Sequence, residues 1–302
     1  MTRFRVVHRT EYRYGLSMAD GFTRAFLLPR STPTQQVTRA ELLVRPEPDE
    51  LEETIDVFGN RVVQFAVHRA HDALEVETIS EVDVHPQPHA AAGAGDVDGR
   101  PWEEVVAAAA AARHDLALEV GPFCATSPLL FPAVGAPVSG LSQLTSQAFT
   151  PGRGIVRAVQ ELCHTIFTTF QFDPGFTDVT TPVATVLAAR RGVCQDFAHV
   201  AVASLRSLGL AARYVSGYIE TEPFPGQPKL VGADASHAWC SVWVPTLGWL
   251  DFDPTNDEFP PQHHVTVGWG RDYSDVPPVR GVVIGPSTAQ QLTVSVDVTR
   301  LD

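Results

Sequence analysis

The sequence predicts an α+β chain, in which an antiparallel, sandwich-like β domain is followed by helices that lead into a second antiparallel sheet or barrel. Strand patterns recur at short intervals over residues 1–90 with no strong helical window between them. Helical periodicity then takes over, and strands return only after residue 210. With 302 residues, 44% of them hydrophobic and 19% charged, the chain has the composition of ordinary globular proteins and the length of two domains.

Residues 3–14, 41–44, 61–68 and 74–84 carry period-2 or β-branched patterning, and Asp56-Val57-Phe58-Gly59-Asn60 supplies a turn between two of these runs. Residues 85–100, rich in Pro, Ala, Gly and Asp, read as a linker. Pro101-Trp102-Glu103-Glu104 opens an Ala-rich helix with acidic residues in its first turn, where the helix dipole favours them. Thr150-Pro151-Gly152 precedes Ile155, Val159, Leu162, Ile166 and Phe167, spaced for a helix that ends near Gln171. Thr181-Pro182 starts a short helix through Leu187. A fourth helix runs from about Cys194 to Leu208, with Cys194, Phe197, Ala198, Ala201, Leu205 and Leu208 on one face and Gly209 as its stop. Strands are expected over 212–220, 236–244 and 249–253, then over 264–267, 282–284 and 292–298. The expected division is a β domain over 1–90, a linker and Ala-rich helical segment over 91–150 and a catalytic core over 151–260. Strands of 261–302 would then pack on the core or on the β domain.

Acidic residues outnumber basic ones 35 to 22, for a formal net charge of -13, which argues against nucleic acid or an anionic membrane as the main partner. The four cysteines Cys124, Cys163, Cys194 and Cys240 are widely spaced and form no C-x-x-C pair, as expected of reduced thiols. The longest apolar run, residues 105–112, is short of the roughly 20 residues a spanning helix needs. The N-terminus alternates polar and apolar residues with no leader-like run, so a cytoplasmic protein is expected. Neither the scattered histidines nor His263-His264 have metal-ligand spacing, so no metal or other cofactor is expected.

Cysteine catalysis needs a thiolate, an imidazole to exchange its proton, and a group to orient that imidazole. Cys194 stands at a helix start, where free N–H groups and the dipole favour a negative charge, and Arg190 and Arg191 precede it. His237 opens a strand bounded by aromatic residues and is the leading base; Asp253, at the end of the next strand, is the leading orienting group. A four-residue turn at 245–248 would set Asp253 opposite Cys240, about 10 Å along the strand from His237. A five-residue loop over 243–247, or a bulge, would set it directly opposite, and that arrangement is expected. Asp251, on the same face, is the substitute if the register differs by two. Asp196 reads as a helix-start cap, His199 as a structural residue, and Cys124, Cys163 and Cys240 as core.

Gly192-Val193-Cys194-Gln195-Asp196-Phe197-Ala198, Ser236-His237-Ala238-Trp239 and Gly248-Trp249 with Phe252-Asp253-Pro254-Thr255-Asn256 resemble, in this order, the three signature blocks of the transglutaminase-like superfamily in its bacterial branch. Leu28-Pro29-Arg30 and Asp56-Val57-Phe58-Gly59-Asn60 resemble the N-terminal β region that accompanies the core there, and Gly270-Arg271-Asp272-Tyr273 is similar to a C-terminal stretch of those proteins. Ser241 departs from the acidic or small residue usual at its position. The resemblance implies a papain-like fold with Cys194 as nucleophile, His237 as general base and acid, and Asp253 as orienting carboxylate. It also implies acyl transfer from an amide, through a thioester, to water or an amine, on a peptide, a protein or a small amide. Hydrolysis of the protease or amidase kind is expected, with isopeptide formation as the alternative and a catalytically silent scaffold as the rival of another class. The Cys194 N–H is the expected oxyanion donor, and Gln171, Gln195 or a tryptophan the second. Trp239 and Gln195 are the expected substrate contacts. Of the 22 basic residues only Lys229 is a lysine, so an amine acceptor would be another molecule.

Overall fold

A computed structural model describes residues 1–86, 99–131, 138, 140–221, 236–260, 263–286 and 289–301. Most of the expected linker, and Lys229, lie outside them. The chain begins with β1 (Thr2–Met18), β2 (Asp20–Ala25), β3 (Gln35–Arg45), β4 (Glu50–Ile55), β5 (Arg61–Val67) and β6 (His71–Val84). Helices α1 (Trp102–Ala110), α2 (His114–Val120), α3 (Leu141–Ala148) and α4 (Ile155–Thr169) follow, then β7 (Gln171–Phe172), α5 (Val183–Ala189), β8 (Arg191–Gly192) and α6 (Cys194–Ser207). Strands β9 (Ala212–Ile219), β10 (Ser236–Val244), β11 (Gly248–Phe252), β12 (His264–Gly270), β13 (Val279–Ile284) and β14 (Gln290–Arg300) complete it. Among the described residues no helix is long and apolar enough to cross a membrane.

The first six strands form two antiparallel sheets, ordered β14-β1-β6-β3 and β13-β2-β5-β4, whose last strands come from the C-terminus. Val63, Phe65 and Val67 of β5 pack against Leu74 and Val76 of β6 between the sheets, the sandwich the strand alternation called for. Sequence patterning missed β4 because Glu50-Leu51-Glu52-Glu53 is exposed along its length, as an edge strand permits.

The third antiparallel sheet has the order β11-β10-β9-β12. Helix α6 lies on it and is buried at every position from Asp196 to Arg206, not on one face only, because α3, α4 and α5 cover its outer side. Helix α3, unexpected from the sequence, contributes Leu141, Leu144 and Ala148 to that cover.

Two side-chain amides join the β sandwich to the free edge of this sheet. Gln35 donates to the Thr266 carbonyl at 2.7 Å and accepts from its N–H at 2.8 Å. Asn60 does the same with Trp269, donating at 2.8 Å and accepting at 2.9 Å. Each amide thus satisfies a β12 residue as a neighbouring strand would. The Asp56–Asn60 turn is itself tied by Asp56, which accepts from the Phe58 and Asn60 N–H groups.

Gly217 of β9 lies directly across from His237. A Cβ there would stand 2.2 Å from the Val265 carbonyl oxygen and 2.5 Å from the Trp239 ring. Gly217→Ala is therefore expected to destabilise the fold by about 1–3 kcal/mol through overpacking and to displace Trp239. A lower urea midpoint with altered tryptophan emission would show it; an unchanged midpoint would contradict it.

Candidate active site

Cys194 is the first residue of α6 and is partly exposed, behind an extended Val193. Asp196 fixes this helix start, its Oδ2 accepting from the Val193 N–H at 2.8 Å and from Thr177 Oγ1 at 2.6 Å. A Cβ at position 192 would come within 2.6 Å of that carboxylate, which explains the glycine two residues before the cysteine. Asp196 has the structural role its helix-start position suggested. Burial pushes its carboxyl pKa upward.

His237 is 7% exposed and Asp253 0%. The imidazole Nε2 donates to Asp253 Oδ2 at 2.6 Å. The Cys194 sulfur is near enough to the same ring to favour its charged form. Cysteine, histidine and aspartate are thus brought to one place.

The register that does this is neither of those expected. Val244 pairs with Gly248, leaving a three-residue loop with no bulge, and the ladder runs to Cys240 opposite Phe252. Continued by one residue, it sets Asp253 opposite Trp239, two short of His237. The two side chains share one side of the sheet and meet diagonally, a separation within reach of long side chains. The expected loop over 243–247 is therefore corrected: direct opposition is unnecessary. Asp251 pairs across the ladder with Ser241 and accepts from its hydroxyl, so it does not serve His237.

Asp253 Oδ2 accepts two further hydrogen bonds, from His264 Nε2 at 3.0 Å and from Asn256 Nδ2 at 2.7 Å. Its Oδ1 accepts the Thr255 N–H at 2.9 Å. The Cys163 thiol donates to the Asp253 carbonyl oxygen at 3.2 Å, so this core cysteine also buttresses the site. Sequence reading missed His264 as a partner of Asp253. The only available signal was strand alternation in a short, weakly patterned stretch, and β12 reaches the site only because it pairs with the far side of β9.

These contacts set the proton positions. Burial works against a charged His237, but the hydrogen bonds to Asp253 and Cys194 more than reverse it and hold its pKa up at about 10. Burial likewise opposes a charged Asp253, and the bonds from His237 and His264 overcome it, holding the carboxyl well below its ordinary range. Burial lowers the His264 pKa, so that ring is neutral and donates from Nε2. The ring nitrogens of His237 and His264 and the carboxylate of Asp253 lie within 4.8 Å of one another, and the Asp253 oxygen they share accepts a hydrogen bond from each ring.

Because the folded protein holds the His237 proton above the ordinary 6.5, this group contributes stability that is complete below that pH and lost as pH rises through about 10. The unfolding free energy of the wild type is expected to fall across that window relative to His237→Gln. Parallel pH profiles of the two urea midpoints would refute it.

Trp239, expected to contact substrate, is 0% exposed. Its ring packs edge-on against His264 with centroids 4.9 Å apart, and it presents no surface to a ligand. Gln195 is partly exposed beside Cys194 and reaches toward the Val179 carbonyl at 3.5 Å. Gln171 lies on the surface, its backbone N–H donating to the Arg190 carbonyl. Cys240 is buried, its thiol donating to the Ala198 carbonyl at 3.3 Å, and burial raises its pKa well above the usual thiol value. His199 is a core residue whose Nε2 accepts the Tyr273 N–H.

Residues 4–83 match the bacterial transglutaminase-like N-terminal region, and residues 142–254 match the transglutaminase-like superfamily. An uncharacterized protein of Mycobacterium tuberculosis is 40% identical over 300 residues, covering 98% of this chain and 92% of that protein. An uncharacterized protein of Mycobacterium leprae is 33% identical over 305 residues, covering both chains completely. A protein-glutamine gamma-glutamyltransferase of Pseudomonas aeruginosa is 42% identical over 67 residues, 22% of this chain and 10% of that one. Among solved structures, a protein from Cytophaga hutchinsonii provisionally assigned as a cysteine protease superposes with a TM-score of 0.73 at 20% identity, covering 100% of this chain and 91% of that one.

Proposed function

Since the chain belongs to the transglutaminase-like superfamily, we propose that it is a cysteine-dependent acyl-transfer enzyme that cleaves an amide or peptide bond through a thioester on Cys194. The observation that carries this reading is the grouping of Cys194 and a fully buried Asp253 about His237, whose Nε2 donates to that carboxylate at 2.6 Å. A histidine that holds its proton to about pH 10 sets a positive charge beside the sulfur, the setting a thiol nucleophile needs. The thiolate attacks the amide carbon, and the backbone N–H of Cys194, free at the helix start, faces the developing oxyanion. His237 protonates the leaving amine and then takes a proton from the water that opens the thioester. Asp253 keeps the imidazole oriented throughout, and neutral His264 and Asn256 hold Asp253 in place.

Hydrolysis is the preferred reading because water is always available as acceptor. Transfer to an amine is the second reading, favoured by the stretch that is 42% identical to the Pseudomonas aeruginosa glutamyltransferase. Incubation with a glutamine peptide, with and without a primary amine, separates them. Ammonia or peptide release without amine incorporation supports hydrolysis, and incorporation supports transfer. Neither product across a panel of glutamine, asparagine and peptide amides would favour the silent scaffold. The substrate on this reading is a peptide, a protein or a small amide. The four cysteines are free thiols, and an obligatory thiolate fits a reducing compartment, so we place the protein in the cytoplasm.

A further inference from the structure

The sheet that carries His237 and Asp253 holds a second group of polar residues on the same side. Arg213 of β9 pairs with Ser241 of β10, four residues from His237 and roughly 13 Å along the strand. This arginine is 6% exposed, its Nε has no hydrogen-bond partner, and no hydrogen bond or ion pair of its guanidinium occurs among the described residues. Its charge is stacked on aromatic faces instead, with Cζ 3.6 Å from the Trp269 ring centre and 4.3 Å from that of Trp249. Arg30, from the Leu28-Pro29-Arg30 block, stacks on Trp269 as well, at 3.4 Å; its Nη1 donates to the Phe58 carbonyl and to Asn60 Oδ1, and its Nε is buried without a partner. These residues, with Phe58 and Phe123, line a cavity of about 590 Å³ between the β sandwich and the core.

Cation–π stacking offsets part of the cost of burying a guanidinium but leaves its N–H edge unused. A buried arginine is commonly paired through that edge with a carboxylate or phosphate, which accepts two parallel bonds. The four aromatic rings that line the cavity suit a flat apolar body attached to the anion. Two carboxylates share the wall: Asp251 accepts from the Ser241 hydroxyl, and Glu119 accepts from the Trp249 indole N–H at 2.9 Å. They balance the two arginines, so a singly charged group is accommodated more easily than a dianion.

We infer that this cavity is a binding site for a small ligand carrying one carboxylate on an aromatic or flat apolar body, held by Arg213 and Arg30 and separate from the Cys194 centre. The site does not depend on which acyl-transfer reaction the enzyme performs. Titration of the whole protein with 3-phenylpropionate, phenyl phosphate and 3-phenylpropanol, followed by tryptophan fluorescence and calorimetry, tests it. The expected result is saturable binding of 3-phenylpropionate with a change in tryptophan emission, at least tenfold tighter than either of the other two. Arg213→Met is expected to weaken that binding at least tenfold, and Arg30→Gln, at a less buried position, in the same direction. An unchanged rate of Cys194 alkylation marks each variant as folded, and the Arg30→Gln result stands if Arg213→Met does not fold. Equal binding of the neutral alcohol, undiminished binding in the folded variants, or no saturation by 10 mM would overturn the inference. Tighter binding of phenyl phosphate would overturn the assignment to a single charge.

Discussion

Cys194→Ala is expected to remove turnover, with kcat/KM lower by on the order of 10⁴-fold or more, while the fold stays intact. The size follows from the chemistry: without the sulfur there is no covalent intermediate, and oriented binding and the helix-start N–H group can supply only a remnant. The stability change is small because the thiol is partly exposed and Asp196, not Cys194, fixes the helix start. The same site predicts selective alkylation. Iodoacetamide near pH 6 is expected to modify Cys194 far faster than an ordinary thiol, with Cys163 and Cys240 protected by burial. His237→Ala is expected to slow that reaction to the rate of a free thiol. Wild-type alkylation no faster than that of a simple thiol, unaltered by His237→Ala, would refute the activated thiolate.

Asp253→Ala carries the second large effect, on stability and activity together. The change removes the acceptor for His237, His264 and Asn256 at once, in a place with 0% exposure. Removing one partner of a buried charged network typically costs about 3–5 kcal/mol, because the remaining groups are left without compensation. Loss of imidazole orientation adds a fall in kcat on the order of 10²–10⁴-fold. Asp253→Asn preserves volume and is expected to lose activity with a smaller loss of stability. Urea unfolding and steady-state kinetics on the three proteins separate the two contributions. A stable, active Asp253→Ala protein would show that Asp253 does not orient His237.

The N-terminal β region, the helix that starts at Cys194, and the candidate residues Cys194, His237 and Asp253, which the fold brings together, were legible in the chain. Each is written in local signals: β alternation, an apolar face with Gly209 as its stop, and polar residues next to aromatic strand positions. The edge strand β4 was not legible, since an exposed strand carries no apolar alternation. The register between β10 and β11 was misjudged by treating direct opposition as a requirement, when side-chain reach spans the diagonal. Trp239 was misassigned because adjacency to the base says nothing of which way a ring is covered, and here β9 and β12 cover it completely.

What local patterning fixes, then, is the kind of most elements and the identity of the candidate site groups, because helix starts, strand alternation and residue type act over a few neighbours. The surroundings of those groups depend on chain segments far apart in sequence. His264 reaches Asp253 only because β12 pairs with β9, and Arg30 reaches Trp269 only because Gln35 and Asn60 bind the β sandwich to the edge of β12. Proton affinity, cavity shape and burial are properties of such packing, so the high proton affinity of His237 arises only once β12 and β10 pair with β9, and the aromatic cavity around Arg213 only once the β sandwich meets the core sheet.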